Sequence, residues 1–270
     1  MTIIIDSESC TRCGTCSEVC PMGIIDPAGD ETPPFVRKEK SGMCISCGQC
    51  EAFCPSGSLV QNTGSEGPTR TSGEGAIPPD RLGLYLKSRR SIRCYRPEPV
   101  PEDTIVSILD IARFAASGGN GQPVEWLVIL EPEKVQKVAG LTVDWMRELA
   151  RSKHPMSAYA PHLIAAWESG NDIICRHAPH LLFPHIPEAN PMASTDAIIA
   201  LTHVDIAAPA FGVGTCWAGF VAMASRSYQP LQDLLALPKG RVTGHAMMFG
   251  FPRYKPYYIP PRKTLKVMWK

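Results

Sequence analysis

Ile105, Ile108, Leu109 and Ala112 follow the i, i+3, i+4, i+7 spacing of one helix face. Pro101, Glu102 and Asp103 precede them, and Pro with acidic residues suits a first helical turn. The spacing therefore predicts an amphipathic helix there, and a shorter one over residues 79–87. "EWLVIL" (125–130) predicts a buried strand, and "GTCWAGFV" and "GHAMMFGF" predict two more, each ending at or near Gly. "ASTDAIIALTHVDIAAPAF" is apolar nearly all round and predicts a buried central helix. The apolar run 197–217 contains His203, Asp205 and Pro209, which fits a buried helix entering a strand better than a membrane span. Residues 151–192, rich in His, Pro and Met, are weakly periodic and are expected to cap a site.

The pattern divides the chain. "QNTGSEGPTRTSGEGAIPP" (61–79) is nearly free of apolar residues and predicts a linker over 61–78. It separates a first domain, residues 1–60, from a mixed helix–strand domain, residues 79–270. The 270 residues carry a net charge of +1, which gives no electrostatic case for nucleic acid or an anionic membrane as partner. The N-terminus lacks a basic segment, a long apolar run and a cleavage site, so no secretory leader is expected. "RRSIR" (89–93) is internal with no apolar run behind it, which excludes an export signal. Eleven Cys without a leader point to a reducing, cytoplasmic setting, where clustered thiols serve as metal ligands.

Eight of those thiols form two copies of C-x2-C-x2-C-x3-C-P, "CTRCGTCSEVCP" and "CISCGQCEAFCP", offset by 34 residues. Three thiolates two residues apart can wrap one face of an iron–sulfur cube, and in bacterial spacing the fourth ligates the other cluster. Cys10, Cys13, Cys16 and Cys54 are then expected to hold one [4Fe-4S] cluster, and Cys20, Cys44, Cys47 and Cys50 a second. Zinc needs only four ligands, usually as two separated pairs, and fits two complete runs poorly. The segment resembles bacterial two-cluster ferredoxins. Cys94, Cys175 and Cys216 are dispersed and are expected to be buried small hydrophobes. Met22, Ile24, Ile25, Phe53 and Leu59 are expected on the surface of the first domain, where they would dock it on the second.

Such a module needs an electron partner. A nicotinamide fingerprint fails: the best cluster, "FGVGTCWAGF", has the wrong spacing, and a helix ends where a strand should. "SRRSIRCY" (88–95) puts Arg forks and a hydroxyl within five residues, a set suited to phosphate. With "ASGGNGQP" (116–123), "GTCWAG" and "GFPRYKPYYIPPRK", it resembles the ferredoxin-fused branch of the FMN-dependent nitroreductase family over residues 79–270. The resemblance implies an α+β sandwich, a homodimer, and FMN at the subunit interface. Arg89, Arg90, Ser91 and Arg93 would hold its phosphate and ribityl chain. Ser117, Asn120 and Gln122 would reach the flavin of the partner, and Ala218 and Gly219 would lie against the isoalloxazine. Arg262 or Lys263 would complete the phosphate site, on a Pro-rich C-terminal arm that embraces the partner. The family's Trp after the loop Pro is replaced by Val124, with Trp126 two places on.

The implied reaction is flavin chemistry without a catalytic side chain. Electrons would pass from an external ferredoxin-like donor through both clusters to FMN, then to a nitroaromatic, quinone or activated alkene. A relay to a partner protein, and a reductase fed by NAD(P)H, remain open alternatives. His177, His180 and His185 have no defensible metal spacing and are expected to face solvent or substrate from the cap.

Overall fold

The computed structural model describes residues 2–29, 32–62, 69–71 and 76–270. Residues 63–68 and 72–75 of the expected linker lie outside the described residues. The chain divides into two units, Met1–Ala76 with Gly119–Gly121, and Ile77–Gly118 with Gln122–Lys270.

The first unit contains β1 (Thr2–Ile5), α1 (Thr15–Glu18), β2 (Ile25–Asp26), β3 (Phe35–Val36), α2 (Gln49–Ala52) and β4 (Leu59–Asn62). β1 pairs antiparallel with β4, setting Ile5 opposite Leu59 and Thr2 opposite Asn62. Gln61 and Asn62, expected in the linker, therefore belong to a strand, and Gln61 is buried. Each one-turn helix is preceded by the Gly that follows the second Cys of its motif. Gly14 (φ 78°) and Gly48 (φ 69°) both take the left-handed conformation that a side chain would strain. Ile24, Ile25 and Leu59 form the core with Cys16 and Cys50, which corrects their expected surface position. These three side chains pack around the clustered cysteines, while Ile4, Phe35, Met43 and Val60 stay exposed. Met22 and Phe53 are exposed.

The second unit opens with α3 (Pro79–Ser88) and α4 (Glu102–Ala112), then β5 (Glu125–Ile129), α5 (Pro132–Leu149) and α6 (Ala160–Glu168). β6 (His180–Pro187), α7 (Ala193–Ala207), β7 (Gly214–Trp217), α8 (Gly219–Ser227), α9 (Gln229–Leu235), β8 (Arg241–Thr243) and β9 (Met247–Gly250) follow. The strands form an antiparallel sheet in the order β5-β6-β9-β7, with β8 also paired to β6. Leu181 and Phe183 of β6 pack with α5, α6, α8 and α9, while Leu182 packs with α4 and α7. Alternate strand residues thus feed two cores, and the architecture is an α+β fold with helices on both sheet faces.

Residues 180–187 are the central strand rather than part of a cap, and every residue but the last is buried. Burial on both faces removes the alternation that would have marked a strand. "GTCWAGFV" is a strand only to Trp217. Ala218 donates to Ala246 O at 2.9 Å, and α8 then starts at Gly219. Residues 253–270 form no helix or strand, and Tyr257 and Trp269 there are 85% and 88% exposed. Among the described residues no helix is long and apolar enough to cross a membrane.

Candidate functional site

Two cavities in the first unit gather the clustered thiols. One is lined by Cys10, Cys13, Cys16 and Cys54 with Ile5, Pro34 and Leu59. The other is lined by Cys20, Cys44, Cys47 and Cys50 with Ile3, Ile24 and Ile25. Each takes three thiols from one sequence copy and the fourth from the other. The sulfurs differ in surroundings. Burial would raise the Cys54 thiol, but the hydroxyls of Ser58 and Ser56 and the amides of Leu59 and Ser58 bring it down to about 7. Burial pushes Cys50 up to about 11. The Thr15 hydroxyl and amide lower Cys13. Cys175 and Cys216 are buried as expected of small hydrophobes, whereas Cys94 is exposed.

A second constellation lies along β7. Ile92 N donates to Thr215 O at 2.8 Å, holding residues 89–95 against this edge strand. The approach is close: a Cβ on Gly214 would stand 2.5 Å from Ile92 Cγ1. Arg89 Nη1 lies 3.3 Å from Oδ2 of Asp205, a buried carboxylate on α7. Asp205 also accepts from the Thr215 hydroxyl and, at 3.2 Å, from Trp217 Nε1. One acid therefore ties the end of α3 to both ends of the β7 motif. Arg90 and Ser91 are half-buried and Arg93 is exposed, and no ion pair engages Arg90 or Arg93 among the described residues. Burial raises the Cys216 thiol, opposed by Arg93 and Arg176 and by a Ser91 hydrogen bond, so these groups cluster around β7. Ala218 is buried and Gly219 begins α8, whose N-terminus has no side-chain cap. Its first amides keep the positive end of the helix dipole available.

The loop at 116–123 is closed by Ser117 Oγ, which accepts from Gln122 N at 3.0 Å. Gly118 N donates to Asp196 Oδ1 at 3.0 Å, near the start of α7. Asp196 and Asp205 are nine residues apart on one helix, about 13 Å along its axis, so this loop is not gathered at the β7 edge. Asn120, which groups with the first unit, donates to Ser46 O at 2.8 Å and Ile45 O at 3.3 Å. Val124 packs against Ile186, Ala193 and Ala197, and Trp126 against the α4–α7 core. Arg262 and Lys263 are exposed on the C-terminal stretch.

His180 and His185 do not face solvent: both are buried. His180 is 1% exposed; its Nε2 accepts from Val100 N and its Nδ1 donates to Leu130 O, both at 2.9 Å. That bonding fixes a neutral ring, and burial lowers its pKa. His185 Nδ1 accepts from Arg241 Nε at 3.0 Å. Only His177 of the three is exposed. Asp205 and Asp196 escaped the motif reading; their signal was an acid embedded in an otherwise apolar helix, which needs a distant donor.

The nitroreductase family model matches residues 86–251 and the 4Fe-4S dicluster domain model matches residues 9–59. A putative NADH dehydrogenase/NAD(P)H nitroreductase of Archaeoglobus fulgidus is 25% identical over 168 residues, 62% of this chain and 83% of that protein. FMN reductase [NAD(P)H] of Bacillus subtilis is 29% identical over 169 residues, 59% of this chain and 64% of that protein. The crystal structure of a nitroreductase with bound FMN from Desulfitobacterium hafniense superposes with a TM-score of 0.57 at 19% identity. It covers 71% of this chain and 100% of that one, a likeness of fold.

Proposed function

Because this chain belongs to the nitroreductase family, we propose that it is an FMN-dependent oxidoreductase whose electrons arrive through two [4Fe-4S] clusters in its first unit. Its acceptor would be a small nitroaromatic, quinone or activated alkene. The observation that carries this reading is the junction of residues 89–95 with β7, which sets Arg90, Ser91 and Arg93 beside the strand that leads into the uncapped α8. That donor set fits FMN. Unpaired guanidinium groups and a hydroxyl suit its phosphate, and a helix N-terminus suits the electron-rich edge of its ring. The cysteine cavities fit iron–sulfur clusters by number and type of ligand. When bound, FMN supplies hydride or two-electron transfer and the clusters supply single electrons.

Arg90, Ser91 and Arg93 would hold the phosphate and ribityl chain. Arg89, fixed by Asp205, would present its remaining N–H groups in a set direction. Ala218 and Gly219 would lie against the ring. Cys10, Cys13, Cys16 and Cys54 would hold one cluster, and Cys20, Cys44, Cys47 and Cys50 the other. The protein would act as a homodimer. Leu84, Val106 and Phe114 are 62%, 63% and 76% exposed, and a partner subunit would cover them. Across that interface Ser117, Asn120 and Gln122 would approach the partner's flavin, and the C-terminal stretch would bring Arg262 or Lys263 to a phosphate. Clustered thiolates of this kind suit the cytoplasm.

The names of both relatives, an NAD(P)H nitroreductase and an FMN reductase [NAD(P)H], favour a second reading, in which NAD(P)H is the reductant. An anaerobic titration separates the two. Reduced ferredoxin should bleach the iron–sulfur and flavin absorbance while NADH and NADPH leave both unchanged over the same time. Rapid bleaching by NADH or NADPH favours the second reading, and purified protein without FMN overturns both.

A further inference from the structure

The two halves of the cysteine repeat are matched at the thiols and mismatched around them. Thirty-four residues separate Met22 from Ser56, Ile24 from Ser58 and Thr11 from Ile45. At each of these pairs the hydroxyl belongs to the cavity of Cys54 and the apolar side chain to the cavity of Cys20. The sulfur contacts follow. Ser58 Oγ lies 3.4 Å and Ser56 Oγ 3.6 Å from Cys54 Sγ, and Thr15 Oγ1 lies 3.3 Å from Cys13 Sγ. Ser56 also donates to Ser58 at 3.0 Å, which polarises the Ser58 hydroxyl. A metal-bound thiolate carries no proton, so Ser58 must donate to Cys54 and Thr15 to Cys13, while the single proton of Ser56 goes to Ser58. At the other cavity Gln61 Nε2 donates to Cys44 Sγ at 3.4 Å, and Ile24, 1% exposed, occupies the place that Ser58 takes in its counterpart. One pair of thiols also differs in exposure: Cys13 is exposed, whereas its counterpart Cys47 is half-buried.

An added electron spreads negative charge over the cluster and its ligand sulfurs. Hydroxyl dipoles aimed at a sulfur stabilise that charge; an apolar wall does not. Resting on the reading that each cavity holds a [4Fe-4S] cluster, we propose that the two are unequal, and that the cavity of Cys10, Cys13, Cys16 and Cys54 takes the first electron. Ser58, Ser56 and Thr15 are the residues that tune it. Of the two clusters this one is reduced first, and the cluster of the Cys20 cavity is reduced only after it.

The test is an anaerobic dithionite titration of the whole protein, followed by electron paramagnetic resonance at low temperature, with iron content measured on every sample. Wild-type protein should give two separate one-electron waves, with the first cluster favoured at least tenfold, which is 59 mV for a one-electron couple. Ser58→Ala should cut that preference several-fold by moving the higher wave alone, and Ser58→Thr should restore it. Ile24→Ser should raise the lower wave alone and so also narrow the gap. Coincident waves in wild-type protein, or a Ser58→Ala shift confined to the lower wave, overturn the proposal while the cluster reading stands. Iron well below eight atoms per wild-type chain overturns the cluster reading itself.

Discussion

Cys10, Cys13 and Cys16 reach their shared cavity within one short stretch of chain, whereas Arg89 meets Asp205 across 116 residues. The two regions hold their functional groups by different means. In the first unit, covalent spacing and one left-handed Gly per motif set three sulfurs, and only the fourth must be brought by folding. At the β7 edge no pair of neighbours suffices. The basic segment, the strand and α8 are aligned by the sheet and by a single buried acid from α7. A locally built site should fail one ligand at a time, and a site assembled over long range should fail with its scaffold.

The largest effect should follow from removing the one long-range ligand of a cysteine cavity. Cys54→Ala should abolish the cluster of Cys10, Cys13 and Cys16, leaving about half the iron, with FMN content unchanged. Loss of all iron would show instead that the two cavities fold as one. Asp205→Ala should act on the other region. It deprives Arg89, the Thr215 hydroxyl and the Trp217 indole of their acceptor, and should destabilise the second unit by about 3 kcal/mol in urea unfolding. Iron content should stay at the wild-type value; a fall in iron would erase the contrast between the regions. Arg93→Ala sharpens the comparison without disturbing the scaffold. FMN affinity, followed by flavin fluorescence, should fall about ten- to a hundredfold for a lost charge-assisted contact of roughly 1.5–3 kcal/mol. Wild-type affinity would remove Arg93 from the site.

The smallest effect is a pH dependence confined to the second unit. Burial lowers the pKa of His180 and His185 below the usual 6.5, so the unfolded chain takes up protons that the folded one refuses. Stability should hold above about pH 6.5 and decline as pH falls below it. An unfolding midpoint of the second unit that is flat between pH 7 and 5 would contradict the neutral, hydrogen-bonded state assigned to these rings.

The sequence by itself determined the parts whose information is local. The thiol spacing, the α4 stripe of Ile105, Ile108 and Ala112, and the position of β5 were all legible, because each is specified by residues a few positions apart; the burial expected of β5 was not borne out, since at this sheet edge only Ile129 is buried. The basic segment was also legible as a candidate phosphate grip, but not its counterweight, since nothing near Asp205 in sequence needs an acid. Only the tertiary structure decided that "HLLFPHIP" is the central strand. Helices cover both its faces, so burial erased the polar–apolar rhythm that sequence reading relies on. It likewise decided that Ile24, Ile25 and Leu59 are core rather than surface, because they pack around the clustered cysteines while Ile4, Phe35 and Val60 of the same unit stay exposed. The difference is physical. Spacing along the chain fixes which groups can meet locally, while burial and long-range pairing depend on which faces the fold brings together.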